Sequence, residues 1–364
     1  YPPQLYLPAV AGVSVRNPEQ TRRFLRDYHK TLAECFMDNC YGTLRDMSHR
    51  AGLKWHSESG GPWNRKLPSF EHADQLAFLG RNDMPQGEFW HPPRGFNRPA
   101  AIAAHIYGRP LAAAEAFTHM GPHWSVYPAL LKPLADAAFC DGVNHLIWHT
   151  FTASPAEFGK PGIEYFAGSH LNPNVTWFEQ SQAMLAYLAR CQGLLRQGQP
   201  VADICCYTGD RPYLDWGRGE KWSPKPGLSL GRGYAYDLIN TEVLLERLDV
   251  KNGRLALPEG LRYRALAVDL EDDAAPPEAL QKIVALAEAG ATVILGPRRP
   301  VRAPGLTDYP ACDAEVTRLA NRLWTSTKPQ GRWDVLPSEN LDAALRSLGV
   351  RPDFDGPWQY AHRR

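Results

Sequence analysis

The sequence predicts an α/β protein in which two parallel-sheet units follow one another. Up to residue 198, short apolar strands alternate with amphipathic helices, which is typical of parallel β/α architecture. Four such strands make the C-terminal half of a (β/α)8 barrel, and we number them five to eight because the chain begins inside a helical or loop segment. A second alternation starts at Pro200 and predicts a smaller open parallel sheet. We therefore expect domains at residues 1–198 and 199–364.

Composition allows this organisation and excludes several classes of partner. An apolar fraction of 44% in 364 residues is enough for two cores. The 40 Lys and Arg residues balance 39 Asp and Glu residues, and no long run of one charge occurs, which argues against nucleic acid and anionic membranes as partners. The seven cysteines are scattered and contain no Cys-x-x-Cys pair, so they predict neither a disulfide framework nor a metal site.

In the first half, Asn17 and Pro18 mark a helix start, with Asn as the N-cap and Pro at the first helical position. Apolar residues then recur at helical spacing to Met47, and Gly52 ends the helix. The elements predicted after it are a strand at 53–58, a strand end at 86–90, a helix at 98–107, a strand at 111–117, a helix at 127–140, a strand at 143–151 and a helix at 176–197.

The second half predicts an open sheet of the same alternating kind. Its predicted elements are a strand at 201–207, a loop at 208–236, a helix at 236–248, a strand at 265–269, a helix from Pro276, a strand at 291–296 and helices at 313–324 and 339–348. Gly231-Arg232-Gly233 lacks the third glycine of a dinucleotide fingerprint and does not join a strand to a helix. We therefore expect no nucleotide site here.

Three carboxylates stand at or near predicted strand ends, the position at which barrels present their chemistry. Glu115 ends an almost wholly apolar strand, where an acid is costly to bury without a purpose. Glu88 follows Gly87 and precedes Phe89-Trp90, which can form an apolar wall. Glu58, in His-Ser-Glu-Ser-Gly-Gly, is the third. Two carboxyl groups facing one cleft are what glycosidic bond cleavage requires, so we assign Glu115 and Glu88 to catalysis.

The substrate-binding candidates are residues whose side chains can hydrogen-bond hydroxyls or stack on a sugar face. They are Glu58, His56, Trp124, His149, Asn144 and Trp90. His56 shares the face of Glu58, because strand residues two apart point to one side. Trp124 follows the Glu115 strand and is our preferred stacking platform.

Blander and rival interpretations remain open for these residues. Each carboxylate can instead cap a helix or pair with an arginine, and many aromatics belong to the core. The histidines and carboxylates at strand ends allow a metal-dependent hydrolase, although no His-Glu-x-x-His spacing occurs. No Gly-x-Ser-x-Gly elbow supports a serine nucleophile.

Taken together, the three acidic motifs resemble glycoside hydrolase family 106, the bacterial α-L-rhamnosidases. The resemblance rests on KWHSESGG at 54–61, DMPQGEFW at 83–90 and AHIYGRPLAAAEAFTHMGP at 104–122, and continues through 132–151, 176–203 and 263–300. It implies a catalytic (β/α)8 barrel followed by a small amidotransferase-like domain. Glu58, Glu88 and Glu115 match acidic motifs of that family, position by position.

The resemblance also implies a function: hydrolysis of terminal α-L-rhamnosides with inversion, in rhamnose-containing oligosaccharides or glycosides. It implies no required cofactor, a calcium ion near the site in some members, and a periplasmic or extracellular location. Two departures stand out. The family's further acid on an earlier strand has no counterpart here, and neither have the β-rich regions after the small domain, so we expect a fragment of a longer enzyme. A carbohydrate-binding protein without catalysis is the alternative.

Overall fold

The protein was analysed as a computed structural model, which describes residues 1–57, 72–210, 233–325, 335–338 and 340–364. The α-helices of these residues are α1 (Pro18–Phe36), α2 (Thr43–Arg50), α3 (Gln75–Gly80), α4 (Arg98–Ile106), α5 (Pro128–Cys140), α6 (Gln182–Leu195), α7 (Thr241–Glu246), α8 (Pro277–Glu288), α9 (Ala311–Trp324) and α10 (Leu341–Ser347). The strands are β1 (Gln86–His91), β2 (Arg94–Gly95), β3 (Ala113–His119), β4 (His145–Trp148), β5 (Ile204–Tyr207), β6 (Tyr236–Ile239), β7 (Asp249–Lys251), β8 (Arg254–Ala256), β9 (Arg262–Tyr263), β10 (Ala265–Val268), β11 (Val293–Leu295) and β12 (Val335–Pro337). Within the described ranges, no helix has both the length and the apolar character needed to cross a bilayer.

The first sheet has the order β2-β1-β3-β4, in which β1, β3 and β4 are parallel. One face of it is apolar: Phe89, Ala114, Ala116 and Phe117 pack against buried residues of α5 and α6. Because successive strand residues point to opposite sides, this packing turns Glu88 and Glu115 to the other face. The helices thus fix which face of the sheet carries the acids.

The second sheet is open and parallel, with the order β12-β11-β10-β5-β6. The chain moves outward from β5 to β6, then returns to β10 on the other side, so the strand order reverses between β5 and β10. A small antiparallel sheet of β7, β8 and β9 lies beside it. The predicted parallel sheets are confirmed, whereas the half barrel and the division at residue 198 stay predictions.

Helix α1 begins as predicted and packs against the second sheet's connections. The Asn17 side chain accepts a hydrogen bond from the Gln20 N–H at 2.8 Å. Arg23, only 1% exposed, donates to both carboxylate oxygens of Asp313 at 2.8 Å. Asp210, just beyond β5, forms ion pairs with Arg26 and Lys30 of the same helix. Helix α1 is thereby tied to the loop after β5 and to α9.

Helix α4 joins the two sheets through the largest apolar core. Its Ile102 and Ile106 belong to one buried cluster with β5, β6, β10 and β11. A buried polar contact adds to this: His105 Nδ1 lies 2.9 Å from Asp237 Oδ1, and Tyr263 Oη donates to the other oxygen of that carboxylate at 2.9 Å. On its other side, Ala101 and Ala104 of α4 pack with Ala112, just before β3, so this helix links the second sheet's core to the first sheet.

Several element predictions were wrong. Residues 53–57 form no strand, although Trp55 exchanges hydrogen bonds with Asp83 just before β1. The helix predicted at 236–248 is a strand, β6, followed by the short helix α7. Glu115 is the third residue of β3, not its end, because the strand continues to His119. The elements α3, β2, β7, β8, β9 and β12 were not predicted.

Candidate active site

Glu88 and Glu115 lie directly opposite each other on neighbouring parallel strands. The register of β1 and β3 pairs Glu88 with Glu115, and Glu115 in turn pairs with Ile147 of β4. Adjacent strands are about 4.8 Å apart, and paired residues point to the same face. Both carboxylates therefore rise from one face, at one level of the sheet.

A β-bulge directly after Glu115 changes what surrounds it. The register shifts between Phe89 and Trp90, so that Trp90 pairs with Thr118, and Phe117 is the extra residue with a left-handed φ of 69°. The bulge places Thr118, three residues on, on the same face as Glu115. Phe117 itself is fully buried and packs against Phe89 with ring centroids 5.1 Å apart.

Glu115 leans towards β4. Its Oε1 accepts a hydrogen bond from the Thr118 hydroxyl at 3.0 Å and lies 3.7 Å from His149 Nδ1. Both side chains are largely buried, at 18% exposure for Glu115 and 22% for His149. That imidazole nitrogen has no hydrogen-bond partner within the described residues. His149 follows β4, and its backbone N–H donates to the Ala116 carbonyl at 2.9 Å, which fixes the residue beside Glu115.

Glu88 instead bonds along its own strand. The Trp90 indole N–H donates to Glu88 Oε1, and the two residues share a face because they are two apart. The two carboxylates thus have different immediate partners, Trp90 for Glu88 and Thr118 with His149 for Glu115. Trp90 and His149 are the predicted binding residues that the structure brings to the acids.

Other predicted residues lie elsewhere. Asn144 is buried before the start of β4, where its side chain accepts from the Ala112 N–H and donates to the Pro110 carbonyl. His56 contacts the side chain of Gln86, the first residue of β1; burial lowers the pKa of His56, and the hydrogen bond with Gln86 opposes this. Both therefore sit at the amino ends of the strands. Glu58 lies outside the described residues.

Trp124 lies in the loop after β3, among residues that sequence reasoning did not single out. Its ring packs on His170 at 4.6 Å, and its indole N–H donates to Glu164. His123 contacts the same two residues. Burial, and then His123, lower the pKa of His170, while Glu164 acts in the opposite sense. Because the two loops are distant in sequence and lack periodicity, no local signal could have revealed these contacts.

The two carboxylates and the His149 imidazole on this face, beside the Trp90 indole, are groups suited to proton transfer. In the parts of the chain that the structure describes, no three His, Cys, Asp or Glu side chains are grouped so as to hold a metal ion. The loops after β3 and β4, which we call the rim loops, carry the imidazoles of His123, His149 and His170, whereas calcium prefers oxygen ligands. The described residues therefore do not fit the calcium ion that the resemblance implies, and we derive no step through it.

Comparison with known proteins follows the same direction. The whole chain, residues 1–364, matches the model of the glycoside hydrolase 106 family, described as α-L-rhamnosidase. A protein of Formosa agariphila named "Putative beta-glucuronidase" is 35% identical over 99% of this chain and 29% of its own length. The solved structure of a rhamnosidase from Novosphingobium sp. PP1Y superposes with a TM-score of 0.85 at 30% identity, covering 100% of this chain and 35% of that one. The chain thus spans about a third of the length of these relatives, and it belongs to the glycoside hydrolase 106 family of α-L-rhamnosidases.

Proposed function

We propose that this chain carries the acid and base residues of an enzyme that releases terminal α-L-rhamnose with inversion, and that Glu115 and Glu88 are these residues. The observation that carries the proposal is their pairing in register on one face of a parallel sheet, in a chain of this family. Because the chain spans about a third of its relatives, the activity is that of the full-length gene product.

In the proposed reaction, one carboxylate takes a proton from water, which attacks the anomeric carbon from the side opposite the leaving oxygen. The other carboxyl group protonates that oxygen, so the configuration inverts. Such a pair needs a separation of about 6.5–9.5 Å to admit the water. Neighbouring strands give only about 4.8 Å between backbones, so the side chains must diverge. The separate partners of Glu115 and Glu88 support this divergence.

The binding residues of this proposal are Trp90, His149, Trp124 and Glu58. Trp90 and His149 lie beside the two acids, and Trp124 lies in the loop after β3 with its ring against His170. Indole faces pack well on the C–H faces of a sugar, and imidazole exchanges hydrogen bonds with hydroxyls. His56 and Asn144 are not carried forward, because both lie at the amino ends of the strands. We further propose export of the enzyme, which cell fractionation tests.

The test uses an aryl α-L-rhamnoside and the full-length gene product. Glu115→Gln and Glu88→Gln keep shape but lose proton transfer, so each is expected to lower kcat by about a hundredfold to ten-thousandfold. Glu157→Gln is the matched control, since Glu157 is an exposed acid in the loop after β4. Full activity in both site variants contradicts the assignment.

The configuration of the first product tests inversion separately. Proton NMR during turnover is expected to show β-L-rhamnose before mutarotation. An initial α-anomer would mean retention, which the paired positions of Glu88 and Glu115 on adjacent strands also permit at a carboxyl separation of about 5–5.5 Å. Rhamnose binding without turnover by the wild-type protein would favour the carbohydrate-binding alternative instead.

A further inference from the structure

The loops after β3 and β4 meet through four side chains, those of His123, Trp124, Glu164 and His170, which we call the loop network. The loop after β3 carries His123 and Trp124, and the loop after β4 carries Glu164 and His170. His123 Nδ1 lies 2.6 Å from His170 Nε2, and His123 Nε2 lies 3.6 Å from Glu164 Oε2. The second oxygen of Glu164 accepts from the Trp124 indole N–H. Glu164 therefore contacts two side chains of the opposite loop at once.

His170, at the inner end of the loop network, is buried in a conformation that costs free energy. His170 is 1% exposed, and its Nδ1 has no hydrogen-bond partner within the described residues. His170 and Trp124 both adopt left-handed φ values, 51° and 64°. A buried polar atom without a partner costs free energy, and so does a non-glycine residue in the left-handed backbone conformation. Such features cluster at functional sites.

The charge of Glu164 decides which imidazole nitrogens carry hydrogen. At 3.6 Å an ionised carboxylate attracts an N–H by charge, without a hydrogen bond, and so favours the tautomer of neutral His123 that carries its hydrogen on Nε2. His123 Nδ1 is then an acceptor, so His170 Nε2 must donate to it, and His170 Nδ1 keeps a bare lone pair. The opposite arrangement would aim a lone pair at the carboxylate and bury an N–H without an acceptor. Glu164 thus fixes both tautomers.

The loop after β4, which the loop network holds, also holds His149. The segment 168–171 is bonded to the strand ends by three backbone N–H groups: Gly168 to the His119 carbonyl at 2.8 Å, Ser169 to the His149 carbonyl at 3.1 Å and Leu171 to the Thr150 carbonyl at 3.1 Å. The Tyr165 ring stands edge-on to the His149 ring at 5.6 Å. Since His149 faces Glu115, the loop network can affect the candidate catalytic acid through one intermediate residue, His149.

We propose that Glu164 is a positioning residue that, by fixing the tautomers of His123 and His170, locks the two rim loops together and keeps His149 facing Glu115. The catalytic consequence rests on the proposed function, whereas the locking of the loops does not. The charged and titratable groups facing His170 are His123, Glu164, His119 and His149.

Two readouts test the proposal in the full-length gene product. Glu164→Gln keeps the size and an oxygen for Trp124, but an amide does not fix the tautomer of His123. It is expected to lower kcat on an aryl α-L-rhamnoside about tenfold, with little change in KM, because an orienting group and not a binding group is lost. Hydrogen–deuterium exchange is expected to speed up in peptides covering 119–127 and 150–171.

Two further variants make the result specific. Glu157→Gln, in the same loop, is expected to change neither readout. The double variant His123→Gln with Glu164→Gln is expected to have a kcat and exchange rates no worse than those of the poorer single variant. The effects of two substitutions within one side-chain network do not add. Wild-type exchange rates in Glu164→Gln would overturn the locking whether or not the enzyme turns over. Altered exchange with wild-type kcat, or multiplied effects in the double variant, would overturn the link to Glu115.

Discussion

At the scale of single residues, Arg23 shows how this chain keeps a buried charge. Its guanidinium meets Asp313 with two hydrogen bonds of 2.8 Å, Glu19 with one of 2.7 Å and the Gly305 carbonyl with one of 3.3 Å, so nearly all of its five donors are used. Bidentate contacts of this kind give both energy and orientation. Arg23 therefore fixes where α1 sits as well as how firmly it is held.

Removing its main partner should be strongly destabilising. Asp313→Ala removes the bidentate partner of the buried Arg23 charge and leaves the partly exposed Glu19 to compensate it, so it is expected to lower the free energy of unfolding by about 3 kcal/mol. Urea titration measures this. Glu315→Ala, which breaks an exposed pair with Arg318 on the same helix, is the control and should leave the titration unchanged. Equal behaviour of the two variants would contradict the role of Arg23.

The same cluster predicts a loss of stability in acid. Burial alone would raise the pKa of Glu19, but hydrogen bonds from Arg22 and Arg23 prevail and lower it to about 2; Asp313 is lowered in the same way. A depressed folded pKa contributes stability above the unfolded value, 4.5 for Glu19, which is lost as pH falls towards 2. The melting temperature should therefore fall over this range, and less steeply in Arg23→Met.

Sequence reasoning singled out Glu88 and Glu115, which the structure pairs in register, because an acid in an apolar run is a local signal; their catalytic role stays a prediction. It predicted neither Thr118 as a partner of Glu115 nor the contacts between the loops after β3 and β4. The bulge at Phe117, which brings Thr118 to Glu115, depends on packing between β3 and α5, and the contacts of His123 with His170 join loops 47 residues apart. Neither leaves a periodic trace in the sequence.

At the scale of elements, helices with caps were predicted well and short strands poorly. Asn17 and Pro18 start α1 as expected, because capping is local chemistry. β6 was read as helix because its four residues run straight into the Asn240 cap of α7. Its strand character comes from pairing with β5, which the sequence of β6 alone does not encode.

One glycine controls how closely the rim loop approaches β4. Gly168 has φ +107°, and a Cβ there would lie 2.9 Å from the Thr150 nitrogen and 3.0 Å from the His149 carbonyl oxygen. Gly168→Ala should therefore push the loop away, costing about 1–3 kcal/mol and lowering kcat. Thermal melting and turnover measure the two effects.

Gly193→Ala provides the matched control for that substitution. Gly193 lies inside α6, where a Cβ would meet nothing within 4 Å. Alanine there is expected to stabilise the protein by about 0.5–1 kcal/mol, since it restricts the unfolded chain. A Gly168→Ala variant as stable and active as this one would show that the loop tolerates displacement.

At the scale of the whole molecule, helix α4 packs in the second sheet's core and also against Ala112 at the start of β3, which predicts that the two sheets unfold together. Ile102 of α4 is fully buried in the cluster that includes the second sheet. Ile102→Ala is expected to cost about 2–5 kcal/mol and to speed hydrogen exchange in β3 and β10 alike. Leu194→Ala, at an exposed position of α6, is the control and should change both little. Faster exchange in one sheet alone would show independent units.

The salt bridges of Asp210 have a consequence for small-molecule traffic. Open parallel sheets usually take their ligands in the crevice where strand order reverses, here beyond β5 and β10. Asp210 stands at that mouth and is already engaged by Arg26 and Lys30. A ligand that paired with Asp210 would have to displace these two side chains, and substitutions that freed Asp210 would also remove contacts that hold α1 against the loop after β5.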